Sequence, residues 1–186
     1  MHKGFLVAVA QEVHLADEIH GIPVHVCGVG KLNAAIGAHE LISRGVTEII
    51  NIGSCGSVNH GMGEILKIGR VYQDIDARPI CDYGLTPFED PESFIQIDPT
   101  SETSCFSSDY FYDHKQVLKY SDDYLGMIKA CNVFDMELYA MAKVCRKHGV
   151  ALSSYKWVSD DGDFAHWAEN CKMSLEKLTE RFHFSL

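Results

Sequence analysis

Residues 23–52 read as a strand, a glycine turn, a helix and a second strand, and that order constrains the fold more than any other feature of the chain. Pro23 to Cys27 (PVHVC) is a short extended run, and Gly28-Val29-Gly30 supplies the turn. Lys31 to Ser43 follows, with Leu32, Ala35, Ile36, His39 and Ile42 at three- and four-residue steps. That spacing predicts a helix with those residues on its apolar face. Arg44-Gly45 closes it, because glycine takes the left-handed conformation at a helix end without a Cβ penalty. Val46 to Ile52 is β-branched and reads as a central strand. Strands joined through a helix pair in parallel, since the crossover returns the chain to the same end of the sheet. The expected class is therefore α/β: three layers, α/β/α, around a central mixed, mostly parallel twisted sheet.

The rest of the chain fits that frame. Gly4 to Ala10 (GFLVAVA) is a continuous apolar run, the pattern of a strand buried on both faces, and Gln11-Glu12 ends it. Gly53 to Gly63 reads as a loop and Glu64 to Asp74 as a strand. Asp76 to Thr103, with prolines at 79, 87, 91 and 99, reads as a long surface segment. Asp113 to Cys131 is partly helical. Phe134 to His148 is a helix with Leu138, Met141, Ala142 and Cys145 on one face and Gly149 as its stop. Val150 to Val158 is another buried strand. A last helix is expected from Ala165 to Phe182, with Trp167, Cys171, Leu175 and Leu178 as its apolar positions. At 186 residues, the span 1–186 is read as one domain.

Charge and cysteine content narrow the function. Lys and Arg number 16 against 26 Asp and Glu, a net charge of −10. Such a chain releases no counterions from a phosphate backbone, so neither nucleic acid nor an anionic membrane is an expected partner. No apolar run reaches the roughly 18–20 residues of a membrane helix, and Phe5 to Ala10 is too short for a signal segment. The seven cysteines are odd in number, widely spaced and without a CxxC pair. They read as free thiols in a reducing cytoplasm rather than as disulfides or a zinc site. No metal and no cofactor is expected.

Two familiar motifs fail. A dinucleotide fingerprint starting at Gly28-Val29-Gly30 needs a third glycine where the chain has Asn33. A phosphate loop ending at Gly30-Lys31 needs a glycine at His25 and a hydroxyl at Leu32. What remains is a glycine turn that packs a strand closely against a helix.

Three carboxylates stand out by position. Glu12 follows the first strand, Asp160 follows the Val150–Val158 strand, and ligands of open α/β sheets bind at the carboxyl ends of strands. Glu137 begins the helix 134–148, where the dipole favours a negative charge. Singly, each has a structural reading: a solvated loop residue, a helix cap, a first-turn glutamate. Together they suit acid–base chemistry on a neutral polar substrate.

At these residues the chain resembles the purine nucleoside phosphorylase and nucleosidase superfamily, most of all its 5′-methylthioadenosine/S-adenosylhomocysteine nucleosidase branch. The resemblance is carried by VAVAQEV (7–13), GVGKLNAAIGA (28–38), IINIGSCGS (49–57), SSDYFY (107–112), FDMELYAMAKVC (134–145) and KWVSDDGD (156–163), in the family's order. It implies that Glu12 deprotonates the attacking water and that Asp160, with Ser159 beside it, protonates purine N7. It implies that Glu137, with Met136, clamps the ribose hydroxyls and that Ser54 and Gly56 lie under the sugar. Phe111 would stack on the base, and the backbone of Tyr112 would hold the purine edge. Asp163 also matches, whereas Lys156 stands where the family usually has arginine. The chain is shorter than is typical of the family, chiefly between Leu15 and Val26 and after Asp163.

The implied reaction is hydrolysis of the N-glycosidic bond of a purine nucleoside, of the methylthioadenosine, S-adenosylhomocysteine or futalosine type. Its transition state gathers positive charge on the ribose and negative charge on the base. A phosphate-dependent phosphorylase is the enzymatic alternative, and a nucleoside-binding homologue without turnover is the other. Phosphorylases hold phosphate with arginine, and none of Arg44, Arg70, Arg78, Arg146 and Arg181 lies in the loop after the first strand. Hydrolysis is therefore expected. The family resemblance also implies a homodimer, for which Leu85 and Phe88 on the 76–103 segment are candidate contacts.

Overall fold

A computed structural model of the protein describes residues 2–89, 92–172, 176, 177 and 180. β1 (Lys3–Val7) runs into a single 3-10 turn at Ala10–Val13, then β2 (Glu18–Ile19) and β3 (Ile22–Val26). α1 (Lys31–Ser43) leads to the long β4 (Glu48–Gly56), β5 (Ile65–Lys67), β6 (Arg70–Gln73), β7 (Phe94–Gln96) and β8 (Ser104–Ser107). A second 3-10 segment (His114–Lys119) precedes α2 (Asp122–Ala130), β9 (Val133–Asp135), α3 (Leu138–His148), β10 (Ala151–Asp160) and α4 (Phe164–Asn170).

Among the described residues ten strands form one mixed sheet with helices on both sides, as the strand–helix–strand unit predicts. β1 lies in parallel between β3 and β4, with Phe5 opposite Val24 on one side and Ile50 on the other. β10 runs parallel to β4 along its whole length, from Ala151 opposite Glu48 to Asp160 opposite Gly56. A register shift between Val158 and Asp160 breaks that ladder at Ser159. The parallel run brings the ends of β1, β4 and β10 to one edge of the sheet. β9 joins that edge by pairing Phe134 with Gly56. Alternation along β1 and β4 splits the core. Leu6 and Ile49 face α1 and α3, whereas Phe5, Val7, Ile50 and Ile52 face the opposite side.

The structure corrects several expectations. α1 has the expected bounds, but its buried face is Ala34, Gly37, Ala38 and Leu41, while Leu32 is 75% and Ile36 50% exposed. Close packing selects the small residues: a Cβ on Gly37 would stand 2.5 Å from that of Cys27. Gly53 to Gly56 is not loop but the end of β4. There glycine serves close approach inside a strand, for a Cβ on Gly56 would enter the Phe134 ring. The strand expected at 64–74 is two, because the chain changes partners at Ile68-Gly69. β5 pairs with β10, and β6 pairs with β7 and β8. The 76–103 segment contains β7, its Leu85 is half-buried, and Phe88 is almost fully exposed. The helix expected from Phe134 starts at Leu138, since Phe134 and Asp135 belong to β9. Asp160 is the last residue of β10 rather than a residue beyond it. Of the final helix α4 is seen, and Leu175 and Leu178 lie outside the described residues. All seven cysteines are unpaired, and no helix among the described residues is long and apolar enough to cross a membrane.

Candidate active site

The strand ends described above open onto a cavity of about 560 Å³. Its floor comes from Ala8, Val9, Ser54, Cys55 and Gly56, and aromatic side chains on the 110–112 segment and α4 wall it. Eight of the nine site residues expected from the sequence line it: Glu12, Ser54, Gly56, Phe111, Tyr112, Met136, Glu137 and Asp160. Ser159 does not, because it is fully buried behind Asp160.

Glu12 is placed by the tight turn after β1 and is almost fully buried. Its carboxylate accepts four hydrogen bonds. Ala8 N and Val9 N donate to Oε2, each at 3.2 Å, and Ser54 N and Ser54 Oγ both donate to Oε1 at 2.7 Å. The solvated-loop reading of Glu12 is thereby excluded. Gly53 lets the carboxylate come this close, since a Cβ there would lie 3.2 Å from Oε1.

Glu137 sits at the N-cap of α3 but caps nothing of its own helix. Its Oε1 instead accepts the N–H of Gly30 at 2.9 Å, and its Oε2 that of Met136 at 3.3 Å. Burial, and then the neighbouring Asp135 carboxylate, push its carboxyl up to about 7, against the pull of Lys156 and the Gly30 N–H. The glycine turn thus has a task its spacing did not reveal. Gly30 takes φ +97°, open to glycine, and turns its N–H onto Glu137. The next N–H, of Lys31, donates to Asp109 Oδ1 at 2.9 Å. Carboxylates of the chain itself therefore take the first two N–H groups at the start of α1.

Asp160 is buried, and burial raises its carboxyl above the ordinary aspartate range, opposed by hydrogen bonds from Ser159 and Gly162. Gly162 N donates to Oδ1 at 2.9 Å, and the Ser159 hydroxyl lies 2.8 Å from Oδ2 and 3.1 Å from the Cys55 carbonyl. Gly162 has φ +91°, and a Cβ on it would stand 2.6 Å from the Tyr112 ring. The helix-cap reading falls to Asp163 instead, whose Oδ1 accepts the N–H of Ala165.

The Tyr112 ring packs edge-on against Phe134 at 5.2 Å, and both residues line the cavity. Phe111 is about one-third exposed and meets Phe164 edge-on at 5.8 Å. Behind the cavity, Lys156 is fully buried and 2.7 Å from Asp135 Oδ2. Asp135 also accepts hydrogen bonds from Ser107 Oγ and the N–H of Leu138.

Sequence reasoning missed Asp135, Tyr110, Phe164 and Trp167. Asp135 was hidden by the helix assignment, and Trp167 by a periodicity that reads any tryptophan as core. Among the described residues the lining includes five carboxyl groups, of Glu12, Asp113, Asp135, Glu137 and Asp160, and no lysine, arginine or histidine. Among the described residues no cluster of three or more His, Cys, Asp or Glu could hold a metal ion. Chemically the site offers one carboxylate held by four donors and two buried carboxyls, of Glu137 and Asp160, that burial raises above the ordinary carboxylate range.

The chain is similar to known proteins. A family model described as the phosphorylase superfamily matches residues 16–182. A DeoD-type 2 purine nucleoside phosphorylase of Vibrio vulnificus is 35% identical over 98 residues, covering 46% of this chain and 42% of the relative, so the match spans less than half of that protein. A 5′-methylthioadenosine/S-adenosylhomocysteine nucleosidase of an Exiguobacterium strain is 25% identical over 82% of this chain and 71% of its own. The solved structure of the Helicobacter pylori 5′-methylthioadenosine/S-adenosylhomocysteine nucleosidase superposes with a TM-score of 0.77 at 19% identity, over 91% of this chain and 90% of that one, a likeness of fold.

Proposed function

Because this chain belongs to the phosphorylase superfamily, we propose that it hydrolyses the N-glycosidic bond of a purine nucleoside. The observation that carries the proposal is the convergence of Glu12, Glu137 and Asp160, from three separate elements, on one cavity that no cationic side chain lines among the described residues.

In this reading Glu12 takes a proton from the attacking water. Asp160, whose carboxyl burial raises, gives a proton to purine N7, so the base leaves neutral, and Ser159 holds the Asp160 carboxyl from behind. Glu137, with Met136, receives the ribose hydroxyls, and once ionised, above about pH 7, its carboxylate balances the growing oxocarbenium ion. Ser54 and Gly56 lie under the sugar, Phe111 stacks on the base, and the Tyr112 backbone meets its edge. Methylthioadenosine, S-adenosylhomocysteine and futalosine-type nucleosides are the proposed substrates.

Water rather than phosphate is the proposed acceptor. Sequence relatives include phosphorylases, so the choice rests on the site. An oxyanion needs N–H and O–H donors and a cation. The donors of Ala8, Val9 and Ser54 are taken by the Glu12 carboxylate and those of Gly30 and Lys31 by Glu137 and Asp109, and among the described residues no lysine or arginine lines the cavity. The proposed assembly is a homodimer. Its support is the outward face of α1, where Leu32 and Ile36 are exposed close to Val29 at the cavity. Seven unpaired cysteines favour a reducing, cytoplasmic setting.

The test is base release from a panel of these nucleosides, with and without phosphate. Release without phosphate, reduced roughly 10²-fold or more in Glu12→Gln, is the expected result. An absolute need for phosphate would establish phosphorolysis, and tight binding without release would establish a binding protein.

A further inference from the structure

Helix α4 carries a side chain that the reaction above does not use. Trp167 lines the cavity, and its indole Nε1–H donates to Ser54 Oγ at 3.0 Å. Ser54 Oγ in turn donates to Glu12 Oε1 at 2.7 Å. An indole nitrogen can only donate, whereas a serine hydroxyl has one proton and two lone pairs. With the indole on a lone pair, the hydroxyl proton is left for the carboxylate.

We infer that Trp167 is a positioning residue for Glu12. It holds the Ser54 hydroxyl as a donor and, through it, aligns the carboxylate that meets the attacking water. The inference rests on the role proposed for Glu12 above.

The indole is delivered by an anchored helix rather than by its own rotamer alone. Asp163 caps α4 at Ala165 N and takes a 2.6 Å ion pair from Lys115, and Trp157 Nε1 donates to the carbonyl of Asn170 at the other end. Within the cavity the Trp167 ring stacks on Phe164, with centroids 5.5 Å apart and planes at 23°. Phe164 meets Phe111 edge-on, so one aromatic wall runs from the Glu12 side to the proposed base platform. The hydrogen bond accepted by Ser54 polarises its O–H and strengthens the donation to Glu12.

Trp167→Phe keeps an aromatic ring beside Phe164 but removes the N–H together with part of the indole, and a second background separates the two losses. With methylthioadenosine as substrate, kcat is expected to fall about tenfold, the worth of one neutral hydrogen bond, and KM to stay within about twofold. In a Ser54→Ala background the same substitution is expected to change kcat by less than about twofold, because the group it acts through is gone. A ring that merely fills the wall gives equal effects in both backgrounds, and that result, or an unchanged kcat in Trp167→Phe, overturns the inference. The hydrogen bond itself is read without turnover, as a shift of the Trp167 indole N–H resonance in Ser54→Ala; an unmoved resonance also overturns it. A parent protein that releases no base from any nucleoside refutes the reaction instead, while the resonance still decides the hydrogen bond.

Discussion

Glu137→Gln exchanges a buried carboxyl for an amide of nearly the same shape, and its effect on stability depends on pH in a direction the structure sets. An ordinary glutamate titrates near 4.5, and Glu137 at about 7, chiefly through burial and then through Asp135. Between those values the folded chain holds a proton that the unfolded chain has released. Folding stability therefore falls as pH rises from about 4.5 to about 7 and levels off above. A displacement of about 2.5 pH units, at roughly 1.4 kcal/mol each, amounts to about 3 kcal/mol. The amide of the variant has no proton to lose, and its oxygen can still accept the Gly30 N–H. Urea unfolding of parent and variant across pH 4 to 9, at one protein concentration, isolates the effect as a difference. Relative to its own value at pH 4, the variant gains about 3 kcal/mol over the parent by pH 8, equivalent to roughly 6–12 °C in Tm. The difference stays flat above pH 8. A difference that does not change between pH 4 and 8, or one that grows in favour of the parent, refutes the account of Glu137 as a carboxyl strained by burial.

Further outcomes follow from the same geometry. Asp160→Asn cannot supply a proton, and kcat is expected to fall roughly 10²–10⁴-fold with binding largely kept. Because burial raises the Asp160 carboxyl, parent activity on adenine nucleosides should decline as pH rises through that range, a limb absent from the variant's pH profile. Lys156→Met leaves Asp135 buried without its cation and should cost roughly 3–5 kcal/mol in urea unfolding; a neutral result would mean that the pair is readily replaced by apolar packing. Gly162→Ala sets a Cβ against the Tyr112 ring in a backbone conformation that suits only glycine, and should lower both Tm and base release.

Residue order alone was enough to reveal the strand–helix–strand core and the place of the three carboxylates. Periodicity and glycine chemistry are local, so α1 emerged with the bounds Lys31–Ser43, and Glu12 and Asp160 fell at strand ends. Family-like segments in order then pointed to eight of the residues that line the cavity. Packing in three dimensions settled what local rules cannot express. The buried face of α1 went to its small residues because the sheet and α3 approach too closely for Leu32 and Ile36. Gly53 and Gly56 became strand because Glu12 and Phe134 occupy the space a Cβ would need. Gly30 found Glu137 across 107 residues, and Trp167 found Ser54 across 113. Such partners are chosen by burial: a donor or a charge removed from water must be met by whatever the fold brings beside it, and no spacing along the chain records that.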